Sequence, residues 1–202
     1  MQISSIVAGL AAFSLRTEPG TDIWKKPPST DVFTAATHVH SVKPLAEFMS
    51  ASISFTANYT IRYDQAGLLL KLINPSIPSS RKWIKTGIEF YNDIPRLSTV
   101  TSDNWADWSV APVSRPKEVQ HGQRRVNIQV QKEHDENGFS WWVYNIEGCE
   151  KIAMREICWV AADQMADGWQ LEVNAVVARP SKGTDEELEA TFEEFNVVWS
   201  DG

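Results

Sequence analysis

The chain is poor in cysteine, with Cys149 and Cys158 alone among 202 residues. Two cysteines, with no second Cys or His cluster at metal spacing, support neither a zinc site nor a disulfide scaffold. They are expected to be buried or reduced thiols, a mutual disulfide staying open if neighbouring strands bring them together. Such sparse use favours the cytoplasm. No apolar run is long enough to cross a bilayer, so no membrane partner is expected. A basic surplus is missing as well: 19 Lys and Arg stand against 26 Asp and Glu, a net charge of −7. Clustered Lys and Arg supply the affinity for phosphate backbones, which argues against nucleic acid. Neither a phosphate-cradling glycine loop nor a nucleophile elbow occurs, so no cofactor and no activated serine are assigned. Of the four histidines, His38 and His40 sit two apart, but no third ligand is identifiable and no metal is assigned.

Helical periodicity is nearly absent. Instead, short runs rich in β-branched and aromatic residues follow one another: ASISFTANYTIRY, AGLLLKLI, WIKTGIEF, LSTVTS, VNIQVQ, SWWVYNIE, WQLEVNAVVA and FNVVWS. Turn clusters such as WKKPPSTD, NPSIPSS and RPSKGTDEE separate them. This pattern predicts an all-β antiparallel sandwich or barrel, one domain over residues 1–202. The opening MQISSIVAGLAAF resembles a signal h-region but lacks a basic n-region, and is expected to be the first strand. DEELEATFEEF allows either a helical turn or a strand alternating Leu188, Ala190 and Phe192. SDNWADWS reads as a loop.

Two segments separate core from chemistry by strand alternation. In WIKTGIEF, Ile84, Ile88 and Phe90 face one side, and Trp83, Lys85, Gly87 and Glu89 the other. In YDQAGLLL, Ala66, Leu68 and Leu70 form the apolar set opposite Tyr63, Gln65 and Gly67. As neighbours these strands would share a polar and aromatic floor. Trp141 and Trp142 are adjacent, so only one can enter the core.

YDQAGLLL, WIKTGIEFYND, LSTVTSDNWADWS, the WWVY strand, MREICWV and the ending VVARP, in this order, resemble the regulation-of-enolase family of fungi and its bacterial relatives. The likeness runs from about Trp24 to about Trp199. It implies a concanavalin-like jelly roll of two antiparallel sheets with a concave face, and a cytosolic role linked to carbohydrate metabolism without an implied chemical activity. The chain departs from the family pattern in LEVNAVVARP, where Asn174 and Val176 take the non-core face.

The candidate site is a concave-face pocket. Glu89, Lys85 and Tyr63 are the proton-handling candidates, and Gln65, Trp83, Asn127, Gln129, Trp142, Arg155 and Asn174 the ligand-binding ones. Asn127 and Gln129 enter because Val126, Ile128 and Val130 form the core set of their strand. The competing reading is a structural ion-pair network of Lys85, Glu89 and Arg155. Two functional classes follow. One is a binding or regulatory protein for a small-molecule, carbohydrate-like or protein partner. The other is a cofactor-independent cyclase or isomerase that positions its substrate. Glycoside hydrolysis needs two carboxyls about 5–10 Å apart across one bond. On WIKTGIEF only Glu89 qualifies, so no reducing sugar is expected from common β-glucans above a no-protein control.

Overall fold

The computed structural model describes residues 11–77, 81–164 and 166–201. Fourteen strands follow in chain order: β1 (Phe13–Thr17), β2 (Ile23–Lys26), β3 (Thr30–Phe33), β4 (Ala36–Pro44), β5 (Phe48–Ala57), β6 (Gln65–Ile73), β7 (Arg81–Tyr91), β8 (Ile94–Ser102), β9 (Ala106–Pro112), β10 (Val126–Asp135), β11 (Gly138–Glu147), β12 (Glu150–Ile157), β13 (Gln170–Ala178) and β14 (Leu188–Trp199). Among the described residues two short α-helices, α1 (Pro116–Gln120) and α2 (Val160–Gln164), and a 3-10 turn at Leu45–Glu47 sit in connections. The first sheet has the order β1-β14-β5-β10-β11-β12 and the second β4-β13-β6-β7-β8-β9, all pairings antiparallel. The expected jelly-roll sandwich is therefore the fold. Most of MQISSIVAGLAAF lies outside the described residues, and β1 begins at Phe13. DEELEATFEEF resolves to strand, with Leu188, Ala190 and Phe192 buried.

Alternation fills the space between the sheets. Ala66, Leu68, Leu70, Ile84, Ile88 and Phe90 pack against Ile53, Phe55, Ile128, Val130, Val143 and Phe192, and Trp141 rather than Trp142 joins them. The Trp141 indole N–H donates to Gln164 Oε1 at 3.1 Å, so the deep aromatic keeps its polar edge satisfied by α2. A second, smaller core lies on the outer face of the second sheet. There Ile23 of the β2–β3 hairpin packs on Leu69, Trp83, Val100 and Val176. Burying Ile23 alone contributes about 1.5–3 kcal/mol to holding the hairpin down.

Two sequence-based expectations change. SDNWADWS is a loop only at residues 103–105, the bend after β8, since β9 begins at Ala106 and forms the edge of the second sheet. Cys149 and Cys158 are both free and both exposed rather than buried. His38 and His40 lie on edge strand β4, against Phe13 and Phe195 respectively. Among the described residues no three His, Cys, Asp or Glu side chains could hold a metal. None of the described helices is long and apolar enough to cross a membrane.

One buried ion pair ties the connections together. Arg179, directly after β13, donates from Nε and Nη2 to the two oxygens of Asp64, each at 2.8 Å. Asp64 also accepts the backbone N–H groups of Thr60 and Ile61, so the turn before β6 is built around its carboxylate. Remaining guanidinium protons go to Thr60 Oγ1 and to the carbonyls of Glu186 and Glu187. The Arg179 carbonyl accepts Gly20 N–H at 2.8 Å, fixing the segment that leads into β2. Replacing Arg179 by Ala strands a buried carboxylate and is expected to cost about 3–5 kcal/mol in urea unfolding. A loss under 1 kcal/mol would contradict this account.

Candidate functional site

The β6–β7 register places Gln65 opposite Glu89, Gly67 opposite Gly87 and Leu69 opposite Lys85. Continued across β8 and β9, the outer face carries three parallel rows: Gln65, Glu89 and Arg96; then Gly67, Gly87 and Ser98; then Leu69, Lys85, Val100 and Trp108. The middle row is short of side chains, so space opens between Glu89 on one side and Lys85 on the other. No larger residue fits there. A Cβ on Gly87 would lie 2.1 Å from the Ala66 carbonyl oxygen, and one on Gly67 would lie 2.2 Å from that of Thr86. Those approaches are to backbone, which cannot swing aside.

The resulting cavity has a volume of about 240 Å³ and is lined by Asp22, Trp24, Tyr63, Gln65, Lys85, Glu89, Val100 and Trp108. Asp22 and Trp24 arrive from the hairpin. Tyr63 arrives from the Asp64 turn rather than from a strand, with φ of 71°, a left-handed conformation unusual for a bulky side chain. Its N–H donates to the Phe90 carbonyl at 2.7 Å, which holds that conformation against its strain. The Tyr63 ring lies beside those of Tyr91 and Trp108, and the Arg62 guanidinium sits 4.6 Å from its centroid.

Lys85 and Glu89 differ in how they are satisfied. The Lys85 ammonium donates to Gln65 Oε1, to the Ile23 carbonyl at 3.0 Å and to Asp22 Oδ1 at 3.4 Å, which uses its three protons. It is the polar rivet of the hairpin. Glu89 is 6 % exposed and pairs directly with no cation among the described residues. Its Oε2 accepts the Ser98 hydroxyl at 2.8 Å, and Ser98 Oγ in turn accepts the Trp108 indole N–H at 3.0 Å. Burial pushes the Glu89 pKa above the usual carboxylate range. The nearby Lys85 charge and the Ser98 hydrogen bond pull the other way without cancelling it, and Asp22 adds to the rise.

Of the sequence-predicted residues, Glu89, Lys85, Tyr63 and Gln65 converge on this cavity. The others do not. Trp83 lies on the same face but is sealed beneath the hairpin at 1 % exposure, as part of the second core. Asn174 is fully buried beside Leu69, its Nδ2 donating to the Glu172 carbonyl, and it does not line the cavity. Asn127, Gln129 and Trp142 belong to β10 and β11 in the first sheet. In a sandwich the core-facing sets of both sheets point inward, so their polar faces point away from each other and never share a floor. On that far face Asn127 accepts the Ser54 hydroxyl, and Trp142 stacks with Tyr144 at 6.1 Å.

Arg155 also lies elsewhere: from edge strand β12 it reaches across to Asp107, and to Ser109 Oγ at 3.1 Å, on edge strand β9. The expected network of Lys85, Glu89 and Arg155 is thus absent as a unit. DWS has a double role, with Asp107 and Ser109 engaging Arg155 while Trp108 turns to the cavity. Sequence reasoning missed Asp22, Trp24, Ser98 and Trp108. Alternation along β9 could have exposed Trp108 had that segment been read as a strand, whereas Asp22 and Trp24 carried no signal. Asp22 also removes the premise that Glu89 is the lone acid, although its Oδ1 is occupied by Lys85, Gln65 and the Ile23 N–H.

The raised Glu89 pKa has a definite sign in stability. The folded state holds a proton that the unfolded chain releases, so this group's contribution falls as pH rises from the ordinary carboxylate range through the folded value. Glu89→Gln should therefore raise Tm at neutral pH, with the gain shrinking as pH falls below the ordinary range. A gain that is the same at acid and neutral pH would contradict it.

Comparison with known proteins agrees with this architecture. The chain is 42 % identical over 172 residues to an uncharacterized protein, AN7484, of Emericella nidulans, covering 85 % of this chain and 78 % of that one. A functionally unknown protein from Saccharomyces cerevisiae is similar in structure with a TM-score of 0.69 at 20 % identity, over 100 % of this chain and 95 % of that one. The alginate lyase Aly36B, in complex with alginate trisaccharide, superposes with a TM-score of 0.55 at 8 % identity, over 93 % of this chain and 82 % of that one. Residues 8–198 match the family described as protein of unknown function (DUF1349), and the chain belongs to that family.

Proposed function

We propose that the cavity between the hairpin and the second sheet binds a small polar ligand of monosaccharide size. On this reading the chain is a cytoplasmic binding or regulatory protein of the regulation-of-enolase type. The observation that carries the proposal is a buried carboxyl without a partner cation, Glu89, facing a cavity walled by Trp24, Trp108 and Tyr63. Aromatic walls supply contact area, and a few polar groups fix orientation, which is the usual composition of a ligand site. At about 240 Å³ the cavity falls below the ~300–1,000 Å³ of sites for drug-sized ligands. Two exposed, free cysteines fit a reducing compartment.

A second reading is favoured by the same carboxyl. An acid whose pKa is raised by burial is suited to proton transfer, so a cofactor-independent isomerase or cyclase could use Glu89 as its acid or base. Lys85 is a poor candidate for that step because all its protons are engaged, and it serves better as an anchor.

The test is a ligand screen followed by nitrogen–proton NMR of the tryptophan indoles. Binding should shift the Trp24 and Trp108 signals and leave that of the deeply buried Trp141 in place. Glu89→Gln should weaken binding with the fold intact. Lys85→Met should loosen the hairpin and cost about 3 kcal/mol or more. Turnover lost in folded Glu89→Gln would favour the isomerase reading, and ligands that shift only signals remote from the cavity would sink both.

A further inference from the structure

Resting on the proposed ligand-binding reading, we infer that this pocket discriminates by charge: it accepts an uncharged, hydroxyl-rich ring and rejects the carboxylated counterpart of that ring, with Glu89 as the specificity-determining residue. Two carboxyls, Asp22 and Glu89, line the cavity against one cation, Lys85. That cation has no proton left to donate to an anionic ligand, because its three protons are already given to Gln65, the Ile23 carbonyl and Asp22, so it acts on such a ligand only through its charge at a distance. A carboxylate entering the cavity would therefore meet Glu89 without a free ammonium to compensate it. Hydroxyl groups, in contrast, can both donate to a carboxylate and accept from a carboxylic acid, so a polyol is matched to Glu89 in either protonation state.

The surroundings of Glu89 support the same conclusion. Ser98 and Gln65 flank it on β8 and β6, Trp108 reaches Ser98 from β9, and Asp22 descends from the hairpin. Arg96 faces it in the β7–β8 register, yet forms no ion pair with it and does not line the cavity. Arg62 lies over the Tyr63 and Tyr91 rings and is not among the residues that line the cavity. Burial, by raising the Glu89 pKa, registers how poorly the cavity tolerates negative charge.

The experiment is a titration with three matched pairs, glucose and glucuronate, galactose and galacturonate, mannose and mannuronate, with glucosamine as the cationic control. Indole fluorescence reports occupancy. At least one hexose is expected to saturate the signal, with its uronate about tenfold weaker or worse and glucosamine within tenfold of glucose. Glu89→Gln should narrow the hexose–uronate gap. In the unaltered protein the gap should widen as pH rises through the Glu89 ionisation, a readout that needs no variant. A uronate binding as well as its hexose, or a gap untouched by both Glu89→Gln and pH, overturns the inference while leaving the pocket as a ligand site. Glucosamine binding more than tenfold tighter than glucose overturns it in favour of a cationic ligand. No saturable response to any of these sugars sinks the charge inference and the monosaccharide-sized site together.

Discussion

The bidentate pair of Arg179 and Asp64 is the contact on which the site depends, although neither residue lines the cavity. Both side chains are essentially removed from water, so each would be prohibitively costly alone, and the pairing of fork to carboxylate makes their burial tolerable. Its consequence is positional. The Asp64 carboxylate organises the turn that presents Tyr63 and starts β6 at Gln65, and the Arg179 backbone grips the segment that delivers Asp22 and the hairpin. Two walls of the cavity therefore come from segments far apart in sequence that share one residue, Arg179, the first through its guanidinium and the second through its backbone.

The cavity itself is made by what the sheet leaves out. A row containing Gly67 and Gly87 runs between taller rows, and the strands there approach too closely for any Cβ. The hairpin over it is held by Ile23 in the second apolar core and by Lys85 reaching up to Asp22 and the Ile23 carbonyl. Lys85 and Glu89, four residues apart on one strand, thus part company. One becomes a fastener, and the other remains a buried acid with no partner cation among the described residues.

Much of this was legible in the sequence. Strand alternation placed Ala66, Leu68 and Leu70 opposite Gln65 and Gly67, and Ile84 and Ile88 opposite Lys85 and Glu89, because the period of two is a local property of extended backbone. The same logic assigned Asn127, Gln129 and Trp142 to outward faces, yet it could not say outward from which sheet. Arg155 and Trp83 illustrate a related gap. An inward or outward direction does not reveal whether a side chain meets solvent, a facing edge strand or a covering hairpin.

The amino-acid order by itself determined the all-β class, the two-faced character of β6 and β7, the paired glycines and the family resemblance, all of which arise from residues near one another along the chain. Tertiary structure alone decided that Asp22, Trp24 and Trp108 would join Glu89, that Lys85 would be consumed as an anchor, and that the polar face of the first sheet would lie on the far side of the molecule. Those outcomes depend on which strands share a sheet and on what covers its outer face. They are set by long-range packing and by the buried Arg179–Asp64 pair, whose partners stand more than a hundred positions apart.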